Sequence, residues 1–258
     1  MAKIISVNNN KGGIGKTSLV TNLAGVLSQK HKVLIVDTDG QGNVAMTFGI
    51  SPDELEYSLY DVLMEGVAPK RAILSIEGID ILPSNSNMDF FDMNVLTNMD
   101  KYPNPFYILR NKLQDLADLY DYVLIDSPPS LGLIAGNILS FAEHVLVPFQ
   151  PEAYAVRGLI RLNMTIDSFR AQHNSKLHIL GVVPMLYDSR TSLHRAILQE
   201  ADNWTQVKGI RLFETIIPKS IRFASSVAFN SRPATLTDKN NSIVHAYYEL
   251  ADEIMEVI

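Results

Sequence analysis

The segment "NNNKGGIGKTS", residues 8–18, leaves few folds open to this chain. It follows the short β-branched run "KIISV" (3–7) and leads at once into a stretch with helical spacing, about 16–29. Glycines at 12, 13 and 15 let the backbone turn tightly and aim successive N–H groups at one point. A helix beginning there adds its unpaired amides and the positive end of its dipole. Strand, glycine turn and helix start in this order make an oxyanion cradle, in which Lys16 is a point charge for β- and γ-phosphates and the Thr17 hydroxyl a ligand for Mg²⁺. The pattern G-x-x-x-x-G-K-[ST] is met except at its first glycine, where Asn10 stands, and a second lysine, Lys11, follows directly.

The rest of the chain supplies the sheet such a loop needs. Short apolar runs recur as "KVLIVD" (32–37), "IDIL" (79–82), "YVLID" (122–126), "HVLVPF" (144–149), "LHILGVVPML" (177–186) and "LFETIIP" (212–218). Their length and β-branching predict buried strands. Helical spacing falls between most of them, at about 105–119, 131–141, 152–171, 191–204 and 242–257, whereas 50–105 reads as short helices joined by loops. This alternation predicts an α/β fold, a mostly parallel twisted sheet with helices on both faces. With 258 residues, no repeat and no dividing linker, residues 1–258 are expected to form a single domain.

Two strands end in carboxylates. "YVLIDSPPS" ends its apolar run at Asp126, and "VLIVDTDGQGN" places Asp37 and Asp39 at the close of another. In a parallel α/β sheet the carboxyl ends of the strands line the ligand crevice, so all three aspartates are expected to face the phosphates, with Asp126 placed to hold the magnesium hydration shell.

Composition narrows the chemistry. There is no cysteine, which removes disulfides, thiolate nucleophiles and cysteine-bound zinc or iron–sulfur clusters. No run of eighteen apolar residues and no signal-peptide pattern is present, so a soluble cytoplasmic protein is expected. The net charge of −6 hides an uneven distribution. Residues 157–239 hold 12 of the 22 Lys and Arg but only 6 of the 28 Asp and Glu, a local balance of +6 that suggests a polyanion-binding face.

These motifs together resemble a known family. "KGGIGKTS" is similar to the deviant Walker A motif, K-G-G-x-G-K-[ST]-[ST], of the ParA/MinD group of ATPases, whose hallmark is the second lysine. "VLIVDTDGQGN" resembles the family's A′ motif and "YVLIDSPPS" its Walker B. "VPFQPEAYAVRGL", "YDSRTSLHRAIL" and "TIIPKSIRFASS" resemble the ParA/Soj partition proteins in particular, so the likeness runs from Lys3 to the final helix.

The resemblance implies a P-loop ATPase, weak alone, that binds Mg-ATP, forms a nucleotide-sandwich homodimer and coats duplex DNA without sequence preference. A centromere-binding ParB partner would stimulate hydrolysis and release it from the nucleoid. It implies nucleotide contacts from Lys11, Gly12, Gly13, Ile14, Gly15, Lys16, Thr17 and Ser18, with Pro218 near the base. Thr17, Asp37 and Asp126 would serve the metal, Asp39 the attacking water, and Lys11 the nucleotide of the other subunit. That last role resembles an arginine finger, a cation delivered in trans to the transferring phosphoryl group. Arg190 and Arg222 match DNA-binding arginines, and Lys219 and Arg232 are neighbouring candidates. Such phosphate contacts give affinity without sequence information.

The chain departs from the pattern at Gly40, where proline is common, at Ser18, where threonine is frequent, and at Asn10, where glutamine is common. Gly40 leaves both aspartates in place but bears on the hydrolysis rate. Three other readings share some motifs. A MinD-like membrane-associated ATPase for division-site placement needs a basic amphipathic tail, whereas "SIVHAYYELADEIMEVI" carries four acids and no Lys or Arg. A nitrogenase iron-protein type of reductase needs cysteines. A module that holds ATP without hydrolysing it is disfavoured by Asp39 and Lys11. Because the loop lies one strand from the start, no N-terminal helix-turn-helix domain and no operator-specific binding are expected.

Overall fold

The computed structural model describes residues 2–258. Its elements in chain order are β1 (Lys3–Val7), α1 (Lys16–Leu27), β2 (Val33–Asp37), α2 (Asn43–Thr47), β3 (Leu74–Ile76), β4 (Ile79–Leu82), α3 (Phe91–Leu96) and α4 (Ile108–Ala117), then β5 (Tyr122–Asp126), α5 (Leu133–Phe141), β6 (His144–Phe149), α6 (Ala155–Gln172), β7 (His178–Tyr187), α7 (Ser192–Lys208), β8 (Ile217–Pro218), α8 (Ile221–Asn230), α9 (Ala234–Thr237) and α10 (Ser242–Met255). Eight strands form one sheet in the order β3-β4-β2-β5-β1-β6-β7-β8. All neighbours run parallel except β3 against β4.

The central strands read as continuous apolar runs because both faces of the sheet are covered. Their side chains alternate between the two sides. Leu34 and Val36 of β2, with Val123 and Ile125 of β5, enter a core shared with α3 to α7. Val33, Ile35 and Leu124 enter a second core with α1 and α10. Helix α10 buries Val244, Tyr247, Leu250, Ala251 and Ile254, so the acidic tail is a docked element of the fold, as its spacing predicts. The register sets Asp37 beside Asp126, and Asp126 beside Val7, the last residue before the glycine loop. Three strand ends thus converge on one point.

The structure departs from expectation in several places, beyond the short helices α2 and α9, which lie outside the predicted segments. β3 is a three-residue antiparallel edge strand within 50–105, too short to show a period of two. Helix α8 arises in a stretch noted for its basic residues and family likeness but not for helical spacing; Ser220 starts it by accepting from Arg222 N. The predicted strand 212–218 shrinks to Ile217–Pro218 and a single bridge from Leu212 to Val182. The cause is Glu253 of α10. Its carboxylate accepts from the backbone N–H groups of Glu214 at 3.0 Å and Thr215 at 2.8 Å and pairs with Arg211 at 3.4 Å, taking donors a sheet ladder would use.

Burial alone would raise the Glu253 pKa, but these donors outweigh it and hold the carboxyl below its usual range. Its stabilisation is therefore present above the ordinary glutamate pKa and is lost as pH falls through the depressed one. Replacing Glu253 by Ala is expected to cost about 1–3 kcal/mol at neutral pH by leaving two backbone donors unpaired. Chemical denaturation should show this deficit shrinking on acidification.

Candidate nucleotide site

The loop between β1 and α1 wraps the sheet's carboxyl edge. Gly13 and Gly15 adopt left-handed backbone, with φ of 71° and 89°, which a side chain would strain. Asn10 is not among the residues of positive φ, which is why the loop tolerates it where the motif has glycine. Its neighbour Asn9 braces the loop by donating from Nδ2 to Pro148 O at 2.7 Å and accepting from Lys11 N at 2.9 Å.

The loop borders a cavity of about 720 Å³, ample for a nucleotide. Gly12, Gly13, Gly15, Lys16, Thr17, Ser18 and Asp39 lie along one end. Met185, Leu186, Ile217, Phe223, Val227 and Tyr247 form an apolar end. The arrangement suits a charged tail and a flat apolar head. Leu186 reaches the cavity because β7 is bulged there, with φ of 53° and a register shift between Met185 and Tyr187. Such bulges re-aim a side chain beside a site.

The polar end is electrostatically demanding. Asp37 and Asp126 are essentially fully buried. Asp37 is held by Asp39 N at 3.0 Å and Val44 N at 3.1 Å, yet burial, and next the Asp126 charge, push its pKa well above the usual range. Burial pushes Asp126 up to about 7, opposed by the Thr17 hydrogen bond and the Lys16 charge. Lys16 is itself buried, and desolvation lowers its pKa against the pull of Asp126 and Asp39. Its ammonium donates to Asn9 O at 3.0 Å and Lys11 O at 3.1 Å.

A divalent cation fits this end. Thr17 Oγ1 donates to Asp126 Oδ2 at 2.6 Å, while Asp126 Oδ1 is buried with no hydrogen-bond partner among the described residues. An orphaned buried carboxylate oxygen beside a threonine hydroxyl calls for positive charge. No three His, Cys, Asp or Glu side chains converge into a metal cage among the described residues.

Other predicted residues are placed differently. Ile14 is buried, so only its backbone is free to serve a ligand. Pro218 is not on the cavity lining, although Ile217 and Ser220 on either side of it are. Lys11 turns its ammonium to Gln150 Oε1 at 2.8 Å and Glu152 Oε2 at 2.5 Å, beside the loop. Ser18 Oγ lies 3.2 Å from Tyr247 OH. At Gly40 a Cβ would stand 2.2 Å from Asp89 Oδ1, so this glycine makes room for a carboxylate from the 86–90 turn. Arg190 lies after β7, while Lys219 and Arg222 flank the start of α8. Arg232 is drawn inward, donating to Phe48 O at 3.0 Å and Ser231 O at 2.6 Å and pairing with Glu77 at 3.4 Å. The apolar wall escaped sequence reading, because Met185, Phe223 and Tyr247 come from three distant elements; only the i, i+4 pair Phe223 and Val227 carries a local signal.

Because Asp126 has its pKa raised by folding, the ligand-free protein should lose stability as pH rises from the ordinary carboxylate range through about 7. Asp126→Asn removes that cost. Thermal melts should show this variant more stable than wild type at pH 8 by on the order of 2–4 kcal/mol without ligand. Added Mg-ATP should reverse the order.

Comparison with known proteins agrees with this geometry. The AAA domain family (AAA_31) matches residues 2–179. The chain is 33% identical to the chromosome partitioning protein ParA of Myxococcus xanthus, covering 99% of this chain and 89% of that one. It is 31% identical to the sporulation initiation inhibitor protein Soj of Bacillus subtilis, covering 98% of each. Among solved structures, cobyrinic acid a,c-diamide synthase from Mycobacterium smegmatis with bound ATP analogue and magnesium superposes with a TM-score of 0.85 at 30% identity, over 99% of this chain and 95% of that one. A strand-end aspartate pair, a two-lysine phosphate loop and near full-length likeness thus converge, and the chain belongs to the ParA/Soj group of the ParA/MinD-type P-loop ATPases, which work on Mg-ATP.

Proposed function

We propose that this chain is a DNA-segregation ATPase whose ATP-bound homodimer holds duplex DNA without sequence preference and lets go when a ParB-type partner stimulates hydrolysis. The observation that carries the reading is the placement of α8. One side of this helix, through Phe223 and Val227, lines the nucleotide cavity, and its first turn presents Arg222, with Lys219 just ahead. Nucleotide and polyanion would therefore be read by the same element. The basic balance of residues 157–239 supports the same reading.

In this proposal Lys16 holds the β- and γ-phosphates, the Gly12–Ser18 backbone cradles them, and Thr17 with Asp126 and Asp37 serves magnesium. Asp39, whose carboxylate accepts from Gln41 N at 3.1 Å and lines the cavity, orients the attacking water. Lys11 leaves Gln150 and Glu152 to reach the nucleotide of the second subunit. The whole chain acts as one domain, in the cytoplasm and on the nucleoid, and not at a membrane. No described helix is long and apolar enough to cross one, and α10 turns its apolar face inward.

The deciding measurement is ATP turnover with and without duplex DNA and a ParB-type protein. Turnover should rise most when both are present; no response to either would overturn the reading. Asp39→Ala should bind ATP with near wild-type affinity but turn over at least 100-fold more slowly. Lys11→Ala should still bind nucleotide yet remain a monomer with ATP on a sizing column.

A further inference from the structure

The arginines proposed to meet DNA are occupied. Arg190 is 87% exposed, yet both arms of its fork rest on Asp188, Nε to Oδ1 at 2.9 Å and Nη2 to Oδ2 at 2.7 Å. This bidentate grip is the one the guanidinium would offer a phosphate. Asp188 is not free to swing aside. It accepts from Arg190 N at 3.0 Å, its N–H donates to His194 Nδ1 at 3.0 Å, and its carbonyl accepts from Thr191 N at 3.2 Å. Arg222 repeats the arrangement with one arm, Nη1 to Asp238 Oδ2 at 3.0 Å. Asp238 is anchored through its backbone to Ala234 O at 2.8 Å. Arg232 differs, since two of its three partners are backbone carbonyls.

We propose that Asp188 and Asp238 are competitors built into the DNA face, holding Arg190 and Arg222 in ion pairs that duplex phosphates must replace. The proposal rests on the DNA-binding reading above and concerns how tightly that face binds. Exposed ion pairs are weak enough for a phosphate to displace. The displaced carboxylate remains close to the incoming phosphate, held by Arg190 N at Asp188 and tethered by its backbone anchor at Asp238, and repels it. Each pair therefore lowers affinity and hastens release, which suits a protein that must come off DNA after one hydrolysis event. Without its carboxylate, each arginine would neutralise a phosphate in full and strengthen the dependence of binding on salt.

The test is binding of a fluorescent random-sequence duplex to the full chain with a non-hydrolysable ATP analogue, titrated across salt concentration. Wild type, Asp188→Asn, Asp238→Asn, the double variant, Arg190→Ala, and Asp188→Asn combined with Arg190→Ala should be compared. Both Asn substitutions keep the side-chain size and an acceptor oxygen. Each should tighten binding about two- to fivefold at low salt and steepen the slope of log K against log salt by up to about one per pair. DNA-free ATP turnover should stay unchanged, and the Asp188→Asn gain should vanish when Arg190 is Ala. If wild type binds and the double variant matches its affinity and slope, the competitor role falls while the DNA reading stands. If the gain survives loss of Arg190, it reflects net charge alone and the proposal falls. If neither protein binds duplex in any nucleotide state, the DNA reading fails and takes this inference with it.

Discussion

Everything around the site depends on two carboxylates buried side by side. Asp37 and Asp126 end adjacent parallel strands in register, burial disfavours the charge of both, and the Asp126 charge further disfavours that of Asp37. A fold tolerates this only when something compensates. Here backbone donors hold Asp37, a threonine hydroxyl holds one oxygen of Asp126, and a buried lysine stands nearby. The remaining oxygen has no partner among the described residues. The deficit leaves this end of the cavity short of positive charge at the point where loop, strands and helix α1 meet.

Much of this was legible in the sequence because the causes are local. A glycine turn between a strand and a helix carries its own geometry, and an acid at the end of a five-residue apolar run marks a strand's carboxyl end. The parallel sheet followed from alternation of element types. Helix α10 was legible as a docked element rather than a membrane anchor because its segment carries four acids and no Lys or Arg.

What escaped depended on distant partners. Glu253 captures two amides 38 and 39 residues earlier in the chain, and nothing within 212–218 announces that its ladder donors will be taken. Arg232 reads as a surface cation but is folded back onto the carbonyl of Phe48, 184 residues away. Gly40 reads as a departure from the family pattern bearing on the hydrolysis rate, yet it is the space Asp89 needs. The left-handed bulge at Leu186 has no sequence mark, since leucine is the wrong residue for it; strain of this kind is stored where a site requires a particular side chain.

Helix α8 is ten residues long, a rod of about 15 Å with no internal glycine or proline to bend it. A rod has no slack. Its cavity-facing and solvent-facing sides keep a fixed phase, so any tilt imposed by a base at one side appears undiminished at the other. Any such tilt would have to be taken up at its two ends, in extended Ser220 and left-handed Ser231. Two serines would then act as the bearings on which the whole lever turns.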